Sequence, residues 1–132
     1  MTKPRLSLAL LAAISFLCVV DAMAQHGGKA EPNRIKFGKG RSSTTLTARL
    51  SNGQEMEYVF GAQKGQKVTV QNANTSAFDF RIFNEELGVE TEFESSRIFT
   101  LELPATGDYL LFVRKKVGGL KTATFRLTLT IK

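Results

Sequence analysis

From Arg34 to the C-terminus, apolar residues recur at every second position, the period of a strand with one buried face. Leu46, Ala48 and Leu50 alternate with Thr45, Thr47 and Arg49. Beyond Asn52-Gly53 the pattern resumes as Met56, Tyr58 and Phe60 against Glu55, Glu57 and Val59. Asn-Gly is the strongest two-residue hairpin signal because both residues tolerate positive φ, so the chain is expected to fold back there as a β-hairpin. Val68 and Val70 follow a Lys64-Gly65 turn, and Asn72 to Ser76 reads as a polar loop. Phe78, Phe80 and Ile82 alternate with Asp79, Arg81 and Phe83, ahead of a turn at Glu85-Glu86-Leu87-Gly88 and a weak strand around Thr91 to Glu94. Phe99, Leu101 and Leu103 share one face of the next strand, which Pro104 ends because proline cannot donate to a ladder. Tyr109, Leu111 and Val113 line one face of the strand after it. Phe125, Leu127, Leu129 and Ile131 alternate with Arg126, Thr128 and Thr130 in the last.

No stretch of this region holds a helical period over two turns, and β-branched residues crowd the alternating segments, as half-buried pleated surfaces favour. About eight short strands with regularly spaced turns predict an all-β fold. The expected architecture is an antiparallel β-sandwich, jelly-roll-like, with the last strand packed centrally. Phe83 and Phe112 then face away from the main core. That leaves three readings: a platform for a glycan or protein, a patch covered by the N-terminal tail, or an in/out register shifted by one residue.

The first 24 residues carry a different pattern. Lys3 and Arg5 precede an apolar run from Leu6 to Val20, and Ala22-Met23-Ala24 places small residues where a signal peptidase reads them. The run is shorter than the roughly 18–20 residues of a membrane span. Residues 1–24 are therefore expected to be a cleaved signal peptide, residues 25–33 a flexible tail, and residues 34–132 one domain, periplasmic or secreted. The segment holds the chain's single cysteine, Cys18, so the mature domain has no disulfide and must rely on its core. Cleavage removes two of 18 basic and one of 12 acidic residues, so a basic balance persists. Such a balance suits anionic cell-wall polymers, an acidic protein patch or nucleic acid, and export argues against nucleic acid.

The inventory of reactive side chains is thin. His26, the only histidine, falls in the tail, so zinc or copper ligation and Ser-His-Asp or Cys-His catalysis lack their parts. Glu55 and Glu57, and Glu90, Glu92 and Glu94, lie on outward strand positions with polar neighbours, where a glycosidase needs two carboxyls flanking a cleft. Neither Asn84-Glu85-Glu86 nor Glu90 to Glu94 has the D-x-D-x-D-G spacing of a calcium loop. Lys64-Gly65 and Lys39-Gly40-Arg41 lack the glycine–lysine spacing and following helix of a phosphate loop. The sequence points to binding without catalysis, cofactor or metal.

At Phe37-Gly-Lys-Gly-Arg-Ser-Ser43, Tyr58, Ala62-Gln-Lys-Gly-Gln66, Val68 and Leu103-Pro-Ala-Thr-Gly-Asp-Tyr109, the chain resembles bacterial periplasmic inhibitors of g-type lysozyme. More loosely it resembles the pre-peptidase C-terminal β-sandwich domains. The first resemblance implies a rigid sandwich that blocks the substrate cleft of a g-type lysozyme with basic loop side chains facing its catalytic carboxylates. Arg114, Lys115, Lys116 and Lys121, around the loop before the last strand, are the candidates, with Lys39 and Arg41 as a second group. Here that loop is Lys115-Lys-Val-Gly-Gly-Leu-Lys121, shorter than the family's and without its spaced arginines. The second resemblance implies a module that binds cell-wall glycan or serves as an envelope accessory domain.

Overall fold

A computed structural model describes residues 32–132, which form one compact unit. The expected signal peptide and all of the expected tail but Pro32 and Asn33 lie outside the described residues. Nine strands follow one another: β1 (Asn33–Arg34), β2 (Ser43–Ser51), β3 (Glu55–Ala62), β4 (Lys67–Asn72), β5 (Phe78–Asn84), β6 (Val89–Glu90), β7 (Ile98–Glu102), β8 (Gly107–Lys115) and β9 (Thr122–Ile131). They make two sheets, ordered β1-β3-β8-β5-β6 and β2-β9-β4-β7, with no helix among the described residues.

The winding is that of a jelly roll. β2 pairs with β9, β3 with β8, β4 with β7 and β5 with β6, all antiparallel. The chain is thus one long ribbon, closed at the Glu85–Gly88 turn and wrapped so that its strand pairs alternate between sheets. β9 lies between β2 and β4, the central place expected for it. The one parallel pair is β1 with β3, so Asn33, expected to end the tail, is instead registered beside Tyr58.

This winding corrects the expected hairpin at Asn52-Gly53. The turn exists, with Gly53 at φ 75°, but its flanking strands lie in different sheets. Ser51 is registered with Thr122 of β9 and Glu55 with Arg114 of β8, so the turn is a β-arch crossing the core. The alternation is the same for a hairpin and an arch, because it specifies the buried face and not the neighbouring strand. The weak strand expected around Thr91 to Glu94 is also corrected: the strand is the two-residue β6, just before it. Regular pairing stops at Glu90 and returns only as an isolated bridge between Phe80 and Glu94. Between them the Thr91 hydroxyl accepts the Ile82 N–H at 3.0 Å, replacing a backbone rung with a side-chain one.

The inner faces carry the core. Phe60, Val68, Val70, Phe78, Phe80, Ile82, Tyr109, Leu111, Val113, Phe125, Leu127 and Leu129 are fully buried. Each such side chain contributes on the order of 1.5–3 kcal/mol of burial, which a disulfide-free domain needs. Phe60 stacks on Tyr109 with centroids 5.7 Å apart, and Phe125 meets Phe78 and Tyr58 in T-shaped contacts at 5.6 and 6.4 Å. The outer face of the β2 sheet is polar, with hydroxyls paired across strands: Ser43 with Thr130, Thr45 with Thr128, and Thr69 with Thr100.

Winding a ribbon stacks its arches in pairs at the two ends. At one end, called here the Tyr109 end, the β3–β4 and β7–β8 arches lie side by side. At the other, the Lys115 end, the β2–β3 arch lies beside the β8–β9 arch.

Candidate binding site

The Lys115 end is built outward from the alternation of β8. Tyr109, Leu111, Val113 and Lys115 occupy the same face, so Lys115 points inward and is 1 % exposed. Its ammonium donates to Asn52 Oδ1 at 2.9 Å, to the Lys116 carbonyl at 2.7 Å and to the Gly118 carbonyl at 3.1 Å. An ammonium has three N–H donors, and all three are used. The backbones of the two arches are bonded as well. Asn52 N–H reaches the Lys121 carbonyl at 3.0 Å, Gly53 N–H the Lys115 carbonyl at 2.9 Å, and Lys115 N–H the Gln54 carbonyl at 3.0 Å.

Lys116 begins the loop and ties it to the β4–β5 connection. Its N–H reaches the Ala77 carbonyl at 2.8 Å and its ammonium the Thr75 carbonyl at 3.0 Å. Past it the chain turns through Gly118 and Gly119, at φ 120° and 62°, a passage open to glycine and strained for side-chain-bearing residues. Val117 and Leu120 flank this pair and are 80 % and 75 % exposed. Between the arch and the β4–β5 connection lies a shallow cleft of about 390 Å³, whose walls include Asn74, Ala77, Lys116, Val117, Leu120 and Ala123.

Arg114, one step earlier, faces outward and is held in place. Its guanidinium forks onto Asp79, with Nε at 3.1 Å from Oδ1 and Nη2 at 2.8 Å from Oδ2, and lies 3.7 Å from the centre of the Phe93 ring. Donating these hydrogen bonds to the Asp79 carboxylate raises the Arg114 pKa further above its already high ordinary value. Arg81 beside it packs over Phe83, Phe112 and Phe93 at 4.9, 5.7 and 5.6 Å. Phe83 and Phe112 do face away from the core, 6.3 Å apart, so the register read from the sequence holds, and Arg81 and Phe93 pack against that face.

The six residues singled out in the sequence therefore divide. Arg114, Lys115, Lys116 and Lys121 gather at the Lys115 end, but Lys115 is enclosed and Arg114 is engaged by Asp79. Lys116 is half-buried and Lys121 is exposed. Lys39 and Arg41 sit at the Tyr109 end, before Ser43, whose register partner is Thr130 near the finish of β9. The structure does not bring the two groups together. Two features escaped the sequence reading. The inward phase of Lys115 was readable from its spacing with Tyr109 and Leu111 but masked by its charge. The exposed Val117 and Leu120 follow no period that would mark them.

Of the carboxylates, Glu55, Glu57, Glu90 and Glu92 are exposed, and Glu94 is half-buried with a bond from Ser96. Asp79 is the one buried acid among the described residues, and Arg114 neutralises it. No group of three or more His, Cys, Asp or Glu among the described residues is placed to hold a metal.

No protein-family model matches the chain, and no curated protein does either. Solved structures do. The fold is similar to that of a periplasmic inhibitor of g-type lysozyme from Aeromonas hydrophila, with TM-score 0.63 and 20 % identity over 76 % of this chain and 96 % of that one. The Escherichia coli inhibitor, in a mutant form, matches with TM-score 0.62 and 26 % identity over 76 % of this chain and 97 % of that one. The Salmonella Typhimurium inhibitor gives 0.62 and 25 % over 79 % and 100 %.

Proposed function

We propose that this chain is an exported binding protein that inhibits a g-type lysozyme, with the β8–β9 arch as the element that enters the enzyme's substrate cleft. The observation that carries the reading is the likeness to three inhibitors of g-type lysozyme, which spans nearly their whole length. The arch supports it in physical terms. It projects apolar side chains from a rigid sheet, with Lys116 and Lys121 at its margins, and a cleft with catalytic carboxylates attracts that charge. The leading sequence and the periplasmic setting of the similar proteins support export. Arg114 and Lys115 act here as scaffold, Lys121 stands exposed for the partner, and Lys116 offers the two donors it does not spend on the Thr75 carbonyl. Lys39 and Arg41, at the opposite end, take no part in the same contact.

The test is titration of residues 25–132 into a g-type lysozyme assay. Inhibition that saturates near one equivalent is expected, and no inhibition at tens-fold molar excess would sink the reading. A second reading, a module for cell-wall glycan, is supported by the outward Phe83–Phe112 pair. Arg81 lies over both of those rings, where a sugar would stack, which argues against it. Sedimentation with peptidoglycan in the absence of lysozyme would favour that reading.

A further inference from the structure

Lys115 is an anomaly in its own strand. It ends a face otherwise made of Tyr109, Leu111 and Val113, and among the described residues no carboxylate pairs with it. Burying an ammonium against neutral dipoles costs free energy that a leucine or methionine in the same place would not. What the apolar residue could not do is donate three hydrogen bonds at once. The acceptors belong to different segments: Asn52 in the β2–β3 arch, and Lys116 and Gly118 in the β8–β9 arch. Gly118 opens the glycine pair of the tip, where backbone freedom is greatest and ordering is most costly.

We infer that Lys115 is a positioning residue, an internal cation that fixes the tip of the β8–β9 arch so that Val117 and Leu120 stand as paired apolar anchors. The inference deepens the proposed function and rests on it for the partner. The matching surface is a cleft with an apolar wall close to its carboxylates. A tip ordered before contact loses less conformational freedom on binding, so the ammonium acts on affinity without touching the partner. The three exposed large apolar residues among those described are Val117, Leu120 and Ile98, and two of them flank the clamped turn.

The test compares three variants of the mature chain with the parent, reading backbone order parameters of residues 117–120 by NMR and the inhibition constant. Lys115→Met keeps the stem and removes the ammonium. It is expected to lower those order parameters from about 0.85 to below about 0.6 and to weaken inhibition roughly tenfold or more. Val117→Ser with Leu120→Ser is expected to weaken inhibition as much while the order parameters stay put. Asn52→Ala, at an exposed turn, leaves the sheets intact and removes one acceptor, so it serves if Lys115→Met does not fold. Its expected loss is smaller, about threefold. An arch that stays rigid in both Lys115→Met and Asn52→Ala overturns the clamp. An arch that loosens with inhibition unchanged overturns its role in positioning. If the parent inhibits no g-type lysozyme, the partner reading fails while the order parameters still decide whether Lys115 holds the arch.

Discussion

The two ends of this sandwich are built alike and held differently. Both are paired arches, brought side by side by the same winding of one ribbon. At the Tyr109 end the union is neutral. Lys64 N–H reaches Thr106 Oγ1 at 2.9 Å, Gly65 N–H the Leu103 carbonyl at 2.8 Å, and Leu103 N–H the Gln66 carbonyl at 2.8 Å. The Tyr109 hydroxyl donates to the Ala105 carbonyl and closes the corner from beneath. At the Lys115 end the backbone union is supplemented by one buried charge. A corner that only has to close the core needs hydroxyls and glycines. A corner that must hold a projecting loop in one shape uses an ammonium, at a cost in desolvation.

The largest effect is expected from removing Tyr109. Its ring is fully buried against Phe60 and its hydroxyl bonds the arch, so Tyr109→Ala loses both packing and corner. A loss of about 3–5 kcal/mol is expected, read as a fall in the urea midpoint. A loss below about 1 kcal/mol would mean the Tyr109 end does not close the core, and the contrast between the ends would collapse.

A smaller effect separates scaffold from contact within the Lys115 end. Arg114→Gln leaves the Asp79 carboxylate, only 8 % exposed, without its fork. Removing one partner of a fully buried pair costs about 3–5 kcal/mol. The Arg114 side chain is 37 % exposed, so solvent screens the pair and about 2 kcal/mol is the expected loss. Inhibition by the folded fraction should be unchanged. Potency that fell while stability held would make Arg114 a contact residue. For the same reason an alanine triple at Arg114, Lys115 and Lys116 is a poor probe, because all three side chains make bonds within the domain.

The sequence disclosed the two ends unequally. The glycine turns at Lys64-Gly65 and Thr106-Gly107 are neighbours on the ribbon, crossing the same corner in opposite directions, and the first was legible from its glycine alone. The core residues of β5, β8 and β9 were legible because alternation reports burial directly. Strand partnership was not, as the turn at Asn52-Gly53 shows: β2 is bonded to β9, more than 70 residues away, and nothing local encodes that choice. The candidate site was half legible. Its location showed as a run of basic residues, but the division of labour within the run depends on which face each residue takes. One inward position turned Lys115 from an expected contact into a clamp.

The smallest effect is expected at the Tyr109 end. Lys39 and Arg41 carry the same charge as Lys116 and Lys121, and composition alone cannot tell the pairs apart. β2 separates them by its nine residues, roughly 26 Å at about 3.3 Å per residue. That exceeds the screening length of about 8 Å at physiological ionic strength more than threefold. An enzyme cleft seated on the β8–β9 arch therefore feels little of Lys39 and Arg41. Lys39→Ala with Arg41→Ala should change the inhibition constant less than about twofold at physiological salt, with a slightly slower association at low salt. Lys116→Ala with Lys121→Ala should weaken inhibition several-fold under the same conditions. Equal losses from the two double variants would mean that the partner spans the sandwich from end to end, and the arch would lose its standing as the site of contact.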